Sequence, residues 1–131
     1  MKIIITIPAY NEESSIGPVI KEIKEVMQQI EYDYAILVVD DGSSDKTVEI
    51  AKKEGALVYS HPTNLGLAEV FKTEIDQCLK MGADIIVHTD ADGQYVAMDI
   101  PNLITKVNEG YDLVLGSRLL IKNDYMPLIN R

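Results

Sequence analysis

The stretch Ala35-Ile36-Leu37-Val38-Val39-Asp40-Asp41-Gly42-Ser43-Ser44-Asp45 decides the fold class. Five apolar residues in a row, three of them β-branched, are too few for a helix and read as a buried strand. The acidic, turn-rich end that follows closes the strand and offers helix N-caps, with Ser44 and Asp45 the best placed. A short helix through Val48, Ile50 and Ala51 then stops near Gly55. Working back toward the N-terminus, Ile16, Val19, Ile20, Ile23, Met27 and Ile30 recur at three- and four-residue steps, the apolar face of a helix. Ser14 or Ser15 can cap its start and Pro18 fits its first turn. Before it, Lys2 to Ile7 is an isoleucine-rich run bounded by Pro8, a second buried strand.

The same alternation continues toward the C-terminus. Ala56 to Tyr59 reads as a strand, and Asn64 can cap a helix that runs to about Lys80, with Gly82 beyond its end. Asp84 to His88 is the next strand, Val96 to Asn108 a helix that stops near Gly110, and Tyr111 to Leu115 a fifth strand. Strands and helices in strict alternation, with short connections, predict an α/β fold: a mostly parallel sheet with helices on both faces.

The 131 residues suffice for one domain with one core. Composition, 47% hydrophobic and 25% charged, is that of a soluble globular protein. With 12 basic and 21 acidic residues the net charge is −9, and no basic run or stripe is present, which argues against nucleic acid as a partner. Phosphorylated small molecules remain open to it, because a divalent metal held by carboxylates supplies positive charge. One cysteine excludes a disulfide framework and fits a reducing, cytoplasmic setting. The apolar N-terminal run is too short for a signal peptide, and no segment approaches a membrane span.

In open α/β sheets ligands bind beyond the carboxyl ends of the strands. Four strand ends here carry polar groups: Pro8, Tyr10, Asn11 and Glu12; Asp40 and Asp41; Asp90, Asp92 and Gln94; Ser117 and Arg118. Carboxylates are rarely buried unless paired or bound to metal, so their gathering at one edge points to a site. Asp90-Ala91-Asp92 is the sharpest feature. Hard oxygen ligands of this kind suit Mg²⁺ or Mn²⁺, to which Gln94 can add a carbonyl oxygen. If Ser44 or Asp45 caps the following helix, one of Asp40 and Asp41 is left free to accept hydrogen bonds from a base or ribose, and Tyr10 offers a ring for stacking. Cys78, His61 and His88 read as core, loop and packing residues respectively.

These motifs occur in one order: Pro8-Ala9-Tyr10-Asn11-Glu12, Val38-Val39-Asp40-Asp41-Gly42-Ser43-Ser44-Asp45, Asn64-Leu65-Gly66, Asp90-Ala91-Asp92-Gly93-Gln94 and Gly116-Ser117-Arg118. As a set they resemble the nucleotide-binding part of family 2 glycosyltransferases of the GT-A, Rossmann-like fold, in particular the dolichol-phosphate mannosyltransferase and polyprenyl-phosphate glycosyltransferase branch. The resemblance covers nearly the whole chain. It implies that Pro8, Tyr10, Glu12, Val39 and Asp41 line the base and ribose pocket and that Ala91 touches the ribose through its backbone. It implies that Asp90, Asp92 and Gln94 hold Mg²⁺ or Mn²⁺ on the donor diphosphate, and that Arg118 reaches the donor phosphates or sugar, which makes Asp92 and Arg118 the catalytic candidates.

The activity implied is inverting transfer of a sugar from a GDP- or UDP-sugar to a polyprenyl or dolichyl phosphate at the cytoplasmic face of a membrane. By the same resemblance residues 1–131 are a single donor-binding domain, cut before the acceptor-binding region through which peripheral membrane contact would be made. The alternatives are a family 2 transferase acting on a saccharide hydroxyl and a non-catalytic nucleotide-sugar binding module. A signalling receiver domain, which also clusters aspartates on an α/β sheet, is excluded by Pro8-Ala9-Tyr10 after the first strand and Arg118 after the fifth. The chain departs from the family pattern on the helix after Asn64, where Ala68 replaces a usual glycine and two acids, Glu69 and Glu74, occupy small positions.

Overall fold

The computed structural model describes residues 1–92 and 97–114. Four strands, β1 (Lys2–Ala9), β2 (Asp33–Asp40), β3 (Leu57–Ser60) and β4 (Ile85–His88), form a parallel sheet in the order β3-β2-β1-β4. Helices α1 (Ile16–Met27), α2 (Thr47–Lys53), α3 (Leu67–Lys80) and α4 (Ile100–Asn108) connect and follow them, with a 3₁₀ turn at Ala97–Asp99 leading into α4.

The apolar pattern explains the layering. Successive side chains of a strand point to opposite faces. Odd-numbered residues of β1 (Ile3, Ile5, Ile7) join Ile36 and Val38 of β2 and meet Ile16, Ile20, Ile23 and Met27 of α1, Ala51 of α2, and Ile100 and Ile104 of α4. On the other face Ile4, Leu37 and Val39 meet Val70 and Cys78 of α3. Both faces of β1 and β2 are therefore covered, which is why these strands read as unbroken apolar runs rather than alternating ones.

The chain builds the sheet to one side of β1 as far as β3. It then returns through α3 to place β4 on the other side of β1. The reversal makes β1/β4 the switch point, the place where such sheets open a crevice at their carboxyl ends. Register aligns the ends: Pro8 lies beside Val39, Ala9 beside Asp40, and Thr6 beside His88.

Three expectations change. The helix after Asn64 is not capped by Asn64; it starts at Leu67, after Gly66 turns the chain with φ +98°. Helix α1 ends at Met27, because Gln29 and Ile30 donate to the carbonyls three residues back and tighten the chain into a turn, which keeps Ile30 against the core. Residues 111–114 carry no strand. Leu115, with which the expected fifth strand ends, and Val96, with which the last helix was expected to begin, lie outside the described residues.

Candidate active site

The loop after β1 and the loop after β2 are sewn together by reciprocal hydrogen bonds. Asn11, in the left-handed region at φ 51°, donates its N–H to Ser43 Oγ at 2.8 Å and accepts the Ser44 N–H on Oδ1 at 2.9 Å. Glu12 N–H donates to Thr47 Oγ1 at 2.9 Å, and Lys46 N–H donates to Glu13 Oε2 at 3.1 Å. Asp45 accepts the Thr47 N–H at 2.9 Å from one residue before the N-cap position of α2, which Lys46 occupies without a side-chain cap bond, so neither Ser44 nor Asp45 is the N-cap that the sequence suggested. The Glu12 carboxylate accepts from Ser15 Oγ at 3.0 Å, which orients it at the start of α1. Sequence reasoning gave Asn11 no task beyond its place in the motif. Its task is to lock two strand ends into one wall.

The second wall comes from the segment between β3 and α3. Gly42 sits at φ +78°, and a Cβ there would lie 2.6 Å from the Thr63 carbonyl carbon and 2.8 Å from Asn64 N. Only glycine lets residues 61–66 approach this closely. That approach delivers three donors to Asp41: His61 Nδ1 and the Leu65 N–H reach Oδ1 at 2.8 and 2.9 Å, and the Gly66 N–H reaches Oδ2 at 2.9 Å. Burial alone would raise the Asp41 pKa, but the His61 hydrogen bond and the two backbone donors outweigh it and hold the carboxyl below its ordinary value. Asp40 accepts the Ser43 N–H at 3.2 Å. Neither aspartate is free of protein partners, contrary to the expectation that one would be.

The third wall follows β4. Thr89 donates both its N–H and its hydroxyl to the Thr6 carbonyl at 2.9 Å, fixing where Asp90-Ala91-Asp92 begins. Together these segments enclose an open cleft of about 380 Å³ lined by Pro8, Ala9, Tyr10, Glu12, Asp41, Asn64, Gly66, Leu67, Val70, Asp90, Ala91 and Asp92. Of the residues singled out from sequence, Pro8, Tyr10, Glu12, Asp41, Asp90, Ala91 and Asp92 are brought together here. Val39 is not: it is fully buried under α3 among Ile4, Leu37 and Val70. Gln94 and Arg118 lie outside the described residues.

The electrostatics of this lining are one-sided. Among the described residues it carries four carboxylates, Glu12, Asp41, Asp90 and Asp92, and no basic side chain. Among the described residues no group of three or more His, Cys, Asp or Glu is placed to cage a metal. Two carboxylates in an open cleft fit Mg²⁺ or Mn²⁺ nonetheless. Mg²⁺, at least, is commonly held by one or two protein carboxylates together with substrate phosphates and water.

Beside the cleft, the acids of α3 part ways. Glu69 is exposed, whereas Glu74 is 1% exposed and its Oε2 meets His88 Nδ1 at 3.0 Å. Its Oε1 has no hydrogen-bond partner among the described residues. The Glu74 hydrogen bond raises the His88 pKa against the opposing effect of partial burial, with a smaller upward pull from Asp90. Phe71 packs edge-on to the His88 ring at 5.8 Å. His88 thus packs against Phe71 and pairs with Glu74. Cys78 is a core residue as expected, its thiol pushed up to about 11 by burial and then by the Glu74 charge. His61 is in a loop, as expected, but is buried and bonded at both nitrogens.

The sheet order, the switch point and the acidic cleft define an α/β domain with a cleft at the carboxyl ends of its parallel strands, where open sheets of this class bind ligands. The family described as glycosyl transferase family 2 matches residues 4–128, and the chain belongs to that family. A Methanocaldococcus jannaschii protein called uncharacterized protein MJ1222 is 44% identical over 99% of this chain and 53% of its own length. The dolichyl-phosphate hexose transferase of Haloferax volcanii is 33% identical over 97% of this chain and 52% of its own. Among solved structures, glucosyl-3-phosphoglycerate synthase of Mycobacterium tuberculosis in complex with Mn²⁺, UDP-glucose and phosphoglyceric acid superposes with a TM-score of 0.66. It is 28% identical, over 83% of this chain and 40% of that one. The fold is therefore that of the GT-A glycosyltransferases, as the sequence resemblance implied. The chain spans about half the length of the curated relatives it matches.

Proposed function

We propose that residues 1–131 are the donor-binding part of an inverting glycosyltransferase that takes a sugar from a nucleotide diphosphate sugar and transfers it to a polyprenyl phosphate. The observation that carries this reading is the cleft lining: four carboxylates and no cation on the described side chains. Such a site repels a diphosphate unless a divalent metal is bound with it. Asp90 and Asp92 are the residues that would hold Mg²⁺ or Mn²⁺, with Gln94 as a further oxygen donor. When bound, the metal neutralises charge on the leaving nucleoside diphosphate. The M. tuberculosis relative, crystallised with Mn²⁺ and UDP-glucose, supports a metal and a nucleotide-sugar donor.

The chain's own residues divide the remaining work. Tyr10, nearly half exposed at the mouth, offers its ring to the base. Asp41, held ionised, accepts from a base or ribose donor. Arg118 is the residue proposed to face the donor phosphates, where a guanidinium stabilises charge as the sugar bond breaks. A phosphate acceptor is already anionic near neutral pH and needs little help from a base, so none is assigned. The H. volcanii relative is named for dolichyl phosphate, which supports a lipid-phosphate acceptor and work at a membrane face. Among the described residues no helix is long and apolar enough to cross a membrane.

The direct test is transfer of labelled sugar from UDP- and GDP-sugars with Mn²⁺, offered polyprenyl phosphate and an oligosaccharide in parallel. Label on the lipid phosphate is expected. Label on the oligosaccharide alone would move the assignment to a saccharide hydroxyl, and nucleotide binding without transfer would make the chain a binding module.

A further inference from the structure

We propose that His61 is a positioning residue for the nucleotide end of the cleft, holding Asp41 as a preset acceptor and tying it to α3. The inference rests on the functional reading above for the identity of the ligand, but not for the geometry.

His61 follows β3 directly, and its N–H donates to the Asp40 carbonyl at 2.8 Å, which prolongs the β2–β3 ladder by one bond and fixes where the ring enters. His61 is 8% exposed and its ring has a partner at each nitrogen: Asp41 Oδ1 on Nδ1 and Thr73 Oγ1 on Nε2, both at 2.8 Å. A carboxylate only accepts, so the hydrogen is on Nδ1, and the ring cannot flip without losing both bonds. Tyr59 closes the outer side, edge-on at 6.2 Å. Thr73 belongs to α3, and Leu65 and Gly66, whose N–H groups also bind Asp41, form the chain entering that helix. One carboxylate therefore gathers the end of β2, the loop after β3 and the start of α3.

This arrangement does more than satisfy a buried charge. A carboxylate offers about four acceptor directions. Among the described residues three are filled, by His61, Leu65 and Gly66, which leaves one on Oδ2 at a residue that lines the cleft. The protein donors decide which direction remains, so a ligand N–H or O–H meets an acceptor that needs no rearrangement. His61 is the only side chain among the three donors, hence the one whose chemistry a substitution alters directly.

The test uses His61→Leu, His61→Asn and Thr73→Val. Affinity for UDP and GDP with Mn²⁺ is measured by calorimetry, and the amide proton shifts and exchange of Leu65 and Gly66 are followed by NMR without nucleotide. Loss of a donor to a charged acceptor predicts that His61→Leu binds about tenfold or more weakly and that both amides shift and exchange faster. Asn places an N–H near the Nδ1 position, so His61→Asn is expected to recover affinity to within about threefold and restore the amide signals. A folded His61→Leu protein with unchanged affinity and amides overturns the proposal. If His61→Leu does not fold, the other two variants decide. His61→Asn and Thr73→Val that bind weakly with unmoved amides overturn it, and retained binding in His61→Asn supports it. If the unsubstituted protein binds neither nucleotide, amides that move in His61→Leu keep the positioning role, and the functional reading is what fails.

Discussion

At the scale of single residues, the site depends on positions whose importance is not visible in their own neighbourhood. Gly42 is one. Its positive φ and the 2.6 Å approach to the Thr63 backbone leave no room for a methyl group. Gly42→Ala is expected to cost about 1–3 kcal/mol in denaturant unfolding and to weaken nucleotide binding, since residues 61–66 must retreat from Asp41. Glu74 and His88 make a second case. A histidine whose folded pKa is raised contributes stability that is complete below its ordinary value of 6.5 and is lost as pH rises through the folded value. Melting temperature is therefore expected to fall as pH increases above 6.5, and His88→Gln should flatten that part of the curve. A profile identical in the two proteins would remove the pair as its cause. The Asp90-Ala91-Asp92 motif was legible because strand and acids adjoin in sequence. The Asp41 acceptor was half legible: its carboxylate was picked out, but its donors come from His61, Leu65 and Gly66, 20 to 25 residues on.

At the scale of elements, local pattern predicted more than local capping did. The isoleucines of β1 and the valines of β2 announced strands buried on both faces, and both are. The apolar period of α1 persists through Ile30, so it could not mark the helix end at Met27; a tightened turn keeps Ile30 on the same side. Asn64 looked like a cap because caps are sought within the segment they serve, whereas the chain entering α3 takes its acceptor from Asp41, on a different strand. The expectation that Glu74 stands at a small position of α3 was informative in another way. Helix and sheet accommodate a buried carboxylate there by pairing one oxygen with His88. Core energetics follow the same map. Ile5 is fully buried at the centre of β1, between Ile36 and Val87. Ile5→Ala is expected to lose about 2–5 kcal/mol of unfolding free energy. Leu79→Ala, on the exposed side of α3, should change stability by no more than about 0.5 kcal/mol. Equal losses from the two would contradict the layer assignment.

At the scale of the whole molecule, the net charge of −9 acquires a location. Glu12, Asp41, Asp90 and Asp92 converge where β1, β2 and β4 end, and the strand order β3-β2-β1-β4 is what brings them there. On the proposed reading a diphosphate needs a cation in that cleft, and Asp90 and Asp92 are proposed to bind one together with the nucleotide. Asp92 is exposed, so its replacement by asparagine leaves the core untouched. The most direct measurement is calorimetric titration of UDP and GDP into the unsubstituted protein and Asp92→Asn, each with and without Mn²⁺. The prediction is nucleotide binding that requires Mn²⁺ in the first and is abolished in the second, with melting temperatures in metal-free, nucleotide-free buffer alike. Binding that ignores Mn²⁺, or that survives Asp92→Asn unaltered, would contradict it.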